Sequence, residues 1–213
     1  MSEADATPAM AGVRFGGDLA ELPTHAFGHR GLTWWGIIGF MVVEGMFFAL
    51  AFAAYFFILD KEQTWPPAPI MPPRPLAGTL FTILILLSEI PNMIVKRAAE
   101  RYDLATVRRM LVMMTLVGLP LFVLRGFEFA SLNVLWSDNA YGSVIWLLLF
   151  LHTTHIVTDW GDTVVLTCLM FGEHGHEANR FVDTSENALY WRFVWASWLI
   201  VYLLIYWLPR WLP

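Results

Sequence analysis

A chain of 213 residues that is 57% apolar and only 15% charged, against roughly 25% charged in soluble domains, leaves no room for a soluble globular domain. The mean hydropathy of +0.56 agrees. The net charge of −5 says little here, because the positions of basic residues matter more than their sum, and nucleic acid is not an expected partner. Crossing about 30 Å of hydrocarbon takes about 20 helical residues. Five stretches qualify, at 33–59, 75–97, 106–131, 141–171 and 187–208. Their length and continuity argue against the alternating strands of an outer-membrane barrel, each about ten residues long. The expected fold is all-α: a polytopic membrane protein of five helices, with an N-terminal segment at 1–32, a transmembrane domain at 33–208 and a short tail at 209–213.

The N-terminal segment carries Glu3, Asp5, Asp18 and Glu21 against Arg14 and Arg30, and so lacks the basic start of a cleaved signal. The first span is expected to stay as an anchor. Cys168, the single cysteine, lies inside the fourth span and cannot form an internal disulfide. With the N-terminus in the cytoplasm, that side holds Arg14, Arg30, Lys96, Arg97, Arg101, Arg108, Arg109 and Arg180, and the other holds Lys61, Arg74 and Arg210. The bias predicts N-terminus in and C-terminus out. Trp34, Trp35, Trp207 and Trp211 are placed as interfacial anchors. The proline-rich stretch 63–75 cannot be helical and predicts an extended outer connection.

Polar residues inside the spans need an explanation, since an acid or base at mid-membrane costs roughly 2.5 to 3.5 kcal/mol on insertion scales. In the first span Glu44 stands beside Gly45, Ala49 and Ala53, a small-residue stripe that would admit another helix backbone. Glu44 reads as a proton-accepting carboxyl, as a buried hydrogen bond to a partner subunit or, more plainly, as a protonated structural acid. In the second span, Ser88, Glu89, Pro91 and Asn92 predict a kink facing a cavity or a helix, and Glu89 lies near enough the cytoplasmic end to snorkel to water. In the third, Arg125 and Glu128 are three apart on one face and predict an ion pair near the outer interface.

The fourth span is the richest. His152, His155, Asp159 and Asp162 follow at spacings of three, four and three, within one stripe roughly 80° wide at about 100° per residue. These are ligand types for zinc or non-haem iron. One straight helix spreads such a set over about 15 Å, so a metal site would need Glu44, Glu89 or Glu128 from elsewhere. The plainer reading is a hydrogen-bonded interhelical stripe without metal.

Several motifs resemble those of one family in order along the chain. Trp34-Trp35-Gly36, then Glu44 with Met46-Phe47-Phe48 and Tyr55-Phe56, resembles the third-helix signature of cytochrome c oxidase subunit III. Pro75-Leu76 with Thr79, Leu80 and Ser88 is similar to the next helix, and Gly126-Phe127-Glu128-Phe129 to its glutamate-aromatic motif. Tyr141-Gly142-Ser143 with His152 and His155 resembles the stretch holding the family's paired histidines, and Tyr190-Trp191-Arg192-Phe193-Val194 with Trp198, Tyr206 and Trp207 the terminal helix. The resemblance covers residues 33–208. It implies a five-helix bacterial member of a family whose longer members have seven, in a multi-pass inner-membrane location.

The resemblance also implies a function: a non-catalytic subunit III of a haem-copper terminal oxidase in aerobic respiration, stabilising the catalytic subunit and supporting proton uptake. No cofactor and no metal are expected in this chain. Haem and copper would sit in the partner subunits I and II, with phospholipid in a cleft between helix groups. Carried over by residue, Glu44, Glu128, His152 and His155 match family positions as lipid-cleft or interhelical groups, and Arg125, Asp159 and Asp162 join them as polar contacts. Departures are Arg192 where the family has histidine, Trp195 where it has aspartate, the Glu89-Ile90-Pro91 run, and the Asp159/Asp162 pair. They leave the electron donor, cytochrome c or quinol, and the acceptor open. Alternatives are an accessory subunit of a nitric oxide reductase, an independent proton-coupled transporter and a membrane metalloenzyme.

Overall fold

The computed structural model describes residues 25–212, so most of the N-terminal segment 1–32, with its charge count, and Pro213 of the tail lie outside the described residues. A 3-10 turn, Gly28–Arg30, leads into α1 (Leu32–Lys61), followed by α2 (Pro75–Glu100), α3 (Leu104–Ala130), α4 (Ala140–Phe171) and α5 (Ala178–Tyr202). α5 continues through a π turn, Leu203–Trp207, and a last helical turn, Leu208–Trp211, in which the expected tail begins. No strand occurs among the described residues. All five rods are long and apolar enough to cross a membrane, in agreement with the expected fold class.

The fifth helix begins at Ala178, nine residues before the apolar stretch that announced it. Its first turns carry Asn179, Arg180, Asp183 and Glu186, which hydropathy excludes but helix geometry accepts, with Arg180 3.3 Å from Asp183 at a spacing of three. α2 runs through Pro91 as one continuous helix. The start of α3 is capped by Asp103, whose Oδ1 accepts from the Thr106 amide at 3.1 Å; the Thr106 hydroxyl first, and then that amide, hold the carboxyl below the usual aspartate range.

α2, α3, α4 and α5 form a ring in which sequence neighbours pack together and α5 closes on α2, while α1 lies outside against α4 and α5. Two close approaches set the ring's spacing. A Cβ at Gly118 would lie 2.0 Å from the Trp160 indole, and one at Gly78 would lie 2.5 Å from the Tyr206 ring. The stripe expected to do this, Gly45, Ala49 and Ala53, admits no helix backbone among the described residues: Ala49 and Ala53 are exposed, and a Cβ at Gly45 would meet only the Phe193 side chain, at 3.9 Å. The reason is that α1 has only one side against the ring, and the stripe is turned largely away from it.

The connection 62–74 is non-helical, as its prolines dictate, yet it does not simply skirt the surface. Trp65 is buried, donates to the Tyr55 hydroxyl at 2.7 Å and packs edge-on against Tyr141. Tyr55 in turn donates to the Leu204 carbonyl at 2.7 Å in the π turn. The loop thereby pins α1 to α4 and α5 at one end of the bundle.

Candidate functional site

Polar side chains inside the membrane-spanning region collect into four groups. The most enclosed lies at the centre of the four-helix ring. Arg125 Nη1 is 2.8 Å from Glu128 Oε2, and both side chains are sealed, at 3% and 0% exposure. The guanidinium is stacked between Phe81 and Trp198, 4.0 and 4.3 Å from their ring centroids. Its Nη2 meets His152 Nδ1 at 2.8 Å, and His152 Nε2 meets the Val194 carbonyl at 3.0 Å. A carbonyl can only accept, so Nε2 carries the proton and Nδ1 offers its lone pair to the arginine; the partners assign a neutral imidazole. Tyr206 donates to Glu128 Oε1 at 3.0 Å and Trp198 to Thr82 at 2.8 Å. Arg125 and Glu128 stand near the C-terminal end of α3, and the pair is enclosed by the surrounding helices.

The second group joins α1 to the ring. Tyr190 donates to Glu44 Oε2 at 2.5 Å, and His155 Nε2 stands 3.4 Å from Glu44 Oε1. His155 Nδ1 lies 2.6 Å from the Leu151 carbonyl, so that nitrogen is the donor. Its other nitrogen, Nε2, faces the carboxyl across that 3.4 Å gap without completing a hydrogen bond. Glu44 is not the solitary acid of its own helix's sequence: its partners come from α4 and α5.

The third group links α4 and α5 through Asn187, which donates to Asp159 Oδ1 at 3.3 Å and accepts from Thr163 at 3.1 Å. Asp159 is buried, and its Oδ2 has no hydrogen-bond partner. Asp162 leaves the stripe. It is exposed and lines a groove of about 300 Å³ between α1, α4 and α5, with Asp183, Glu186 and Tyr190 on the same wall. A stripe 80° wide is wider than the contact α5 makes on α4, so three of its members are covered and the last is not.

The fourth group overturns the snorkelling reading of Glu89. Its Oε1 accepts from Arg192 Nε at 2.7 Å, and its Oε2 accepts from Trp195 Nε1 at 3.2 Å and Asn92 at 2.8 Å. Asn92 also donates to the Ala188 carbonyl at 2.9 Å. The acid is drawn sideways onto α5, not upward to water. Arg192, Trp195 and Glu89 were three separate departures in the sequence; in the fold they are one contact.

Among the described residues no three His, Cys, Asp or Glu side chains come together in a way that could hold a metal ion. Sequence reasoning named Tyr190 and Tyr206 only as motif residues and missed Asn187 and Glu186. Asp183 and Glu186 lie just before the fifth apolar stretch and Asn187 at its first position, where reading hydropathy alone discards them.

A model of the cytochrome c oxidase subunit III family matches residues 20–210. Similar curated proteins include cytochrome c oxidase subunit 3 of Drosophila yakuba, 27% identical over 176 residues, which are 79% of this chain and 66% of that protein. The protein of the same name from Locusta migratoria is 28% identical over 180 residues, with the same coverage. That of Loxodonta africana is 28% identical over 176 residues, covering 79% of this chain and 67% of the relative. The chain spans about two thirds of the length of these relatives. Because the family match runs through all five membrane-spanning helices, the chain belongs to the cytochrome c oxidase subunit III family.

Proposed function

We propose that this chain is the non-catalytic subunit III of a haem-copper terminal oxidase. In this reading it packs against the catalytic subunit I beside subunit II, which hold the haem and copper, in the inner membrane of a bacterium. It stabilises subunit I, supports proton uptake and binds phospholipid in a cleft. Glu44, Arg125, Glu128, His152, His155 and Asp159 serve as interhelical polar contacts, with Asp162 at the groove. The N-terminus is cytoplasmic. The observation that carries this reading is the family match across 20–210. The exposed apolar flank of α1, including Phe40, Val43, Phe47 and Leu50, supports it, because such a flank faces lipid or another subunit.

Purification of the tagged full-length chain in mild detergent tests the proposal. Haem absorption and two larger membrane subunits should accompany it, and the preparation should consume oxygen. Consumption of nitric oxide in place of oxygen would move the chain to a nitric oxide reductase. Recovery as a haem-free oligomer with transport activity would reject the oxidase reading altogether.

A further inference from the structure

The groove between α1, α4 and α5 contains more acid than contacts within the fold require. Glu186 is 1% exposed and lines it, yet neither carboxyl oxygen completes a hydrogen bond among the described residues, although the Gly28 amide and the Lys96 ammonium lie near. Asp162 and Asp183 line the same wall. Arg180 offsets one of them, at 3.3 Å from Asp183. Behind the wall Asp159 keeps its unpartnered Oδ2, within electrostatic reach of Asp162 and Glu44. Buried carboxyl oxygens without partners carry a desolvation cost of about 1–3 kcal/mol each, and ordered water is the usual remedy where a polar space is large enough. A space of about 300 Å³ holds several waters.

The groove has a direction. α1 begins, α4 ends and α5 begins at the same end of the bundle, and the wall runs inward from Asp183 to Tyr190, seven residues or about 10 Å along the axis. Tyr190 hands on to Glu44, twelve residues into α1 and so about 18 Å from its start. Beyond Glu44 the way is closed. Phe48 stacks on His155 with centroids 4.9 Å apart, and Phe193 closes against Phe48 at 6.2 Å.

The geometry points to a hydrated, cation-favouring well that opens at the membrane surface where α1 begins and ends blind at Tyr190, whose hydroxyl donates to Glu44. Its ligand is water and the protons water carries. A blind well exchanges water and protons with one side of the membrane only, so it is not a path across the bilayer. The inference stands on the groove alone and holds whichever complex contains the chain.

Cysteine accessibility in native membranes tests it, with the full-length chain and Cys168→Ser removing the native thiol. Thr158→Cys and Val165→Cys report on the groove, and Val157→Cys, on an apolar exposed face of α4 at the depth of Thr158, is the control. Only a thiolate reacts, and hydrocarbon suppresses the thiolate, so a membrane-impermeant methanethiosulfonate bearing a quaternary ammonium should modify either groove position about tenfold faster than the control. It should do so only from the side where α1 begins. The sulfonate-bearing analogue should be slower by about tenfold, a gap that Asp162→Asn with Asp183→Asn should close. Groove positions as slow as Val157→Cys, labelling from the opposite side, or equal rates for the two reagents would each overturn the well.

Discussion

Glu44 illustrates how one buried carboxyl is accommodated by geometry. It accepts from Tyr190 and faces His155 Nε2, and a neutral amide can serve both: the Gln oxygen accepts from Tyr190 and its NH2 can donate to His155 Nε2. Glu44→Gln is therefore expected to leave the thermal midpoint of the purified complex nearly unchanged. Glu44→Ala strands the tyrosine hydroxyl and the imidazole and should destabilise by about 1–3 kcal/mol for each group left unpaired. Equal midpoints for the two variants would refute this account. The Arg125–Glu128 pair is a harsher case, because the arginine is enclosed by Phe81, Trp198 and His152 with no route to water. Removing one partner of a buried pair costs about 3–5 kcal/mol, chiefly through the charge left behind. Arg125→Leu should prevent recovery of folded chain, and Arg125→Leu with Glu128→Leu should recover part of it; quantitative recovery of the single variant would show that the pair is dispensable.

Among the helices, polar contacts decide which neighbours meet, while glycines decide how closely. Glu89 with Arg192 and Trp195 fastens α2 to α5, and Gly118 lets α3 receive Trp160 of α4. At the water-facing start of α3, Asp103 provides a contact that titrates. Its folded pKa lies below the unfolded value of about 3.9, so its contribution is complete above that value and is lost as pH falls through the lower folded one. Hydrogen exchange at the first turn of α3, corrected for intrinsic rates, should accelerate below about pH 4 in the native chain. In Asp103→Asn the acid-dependent acceleration should vanish, since the amide oxygen still caps but does not titrate. Persistence of the acceleration in that variant would place its origin elsewhere.

Across the whole molecule, the ends of the bundle differ in charge. The end with Arg101, Arg108, Arg109 and Arg180 also carries Arg30, Lys96 and Arg97, and the opposite end carries Lys61, Arg74 and Arg210. By the positive-inside bias, a protease site inserted in 172–177 should be cut only in inside-out vesicles, and one in 62–74 only in right-side-out vesicles. The reverse pattern would invert the proposed orientation and place the mouth of the acidic groove outside.

The number of spans and the all-α class were legible in the sequence, because crossing hydrocarbon requires a run of apolar residues of a certain length, and length is a one-dimensional property. Arg125 and Glu128 could be paired at sight for a similar reason: three residues on one helix have a fixed separation. The partners that Glu44, Glu89 and Asp159 meet on other helices could not, since helices apolar nearly all round carry no mark of which face turns inward. Only the packing of α5 between α2 and α4 decided that His152 serves Arg125 while His155, three residues on, serves Glu44, and that Asp162 at the end of the same stripe opens onto a groove. A helix's own spacing determines which side chains share a face; what that face meets is set by rotation and tilt against its neighbours, and these are fixed by close contacts such as Gly118 on Trp160 that no single helix contains.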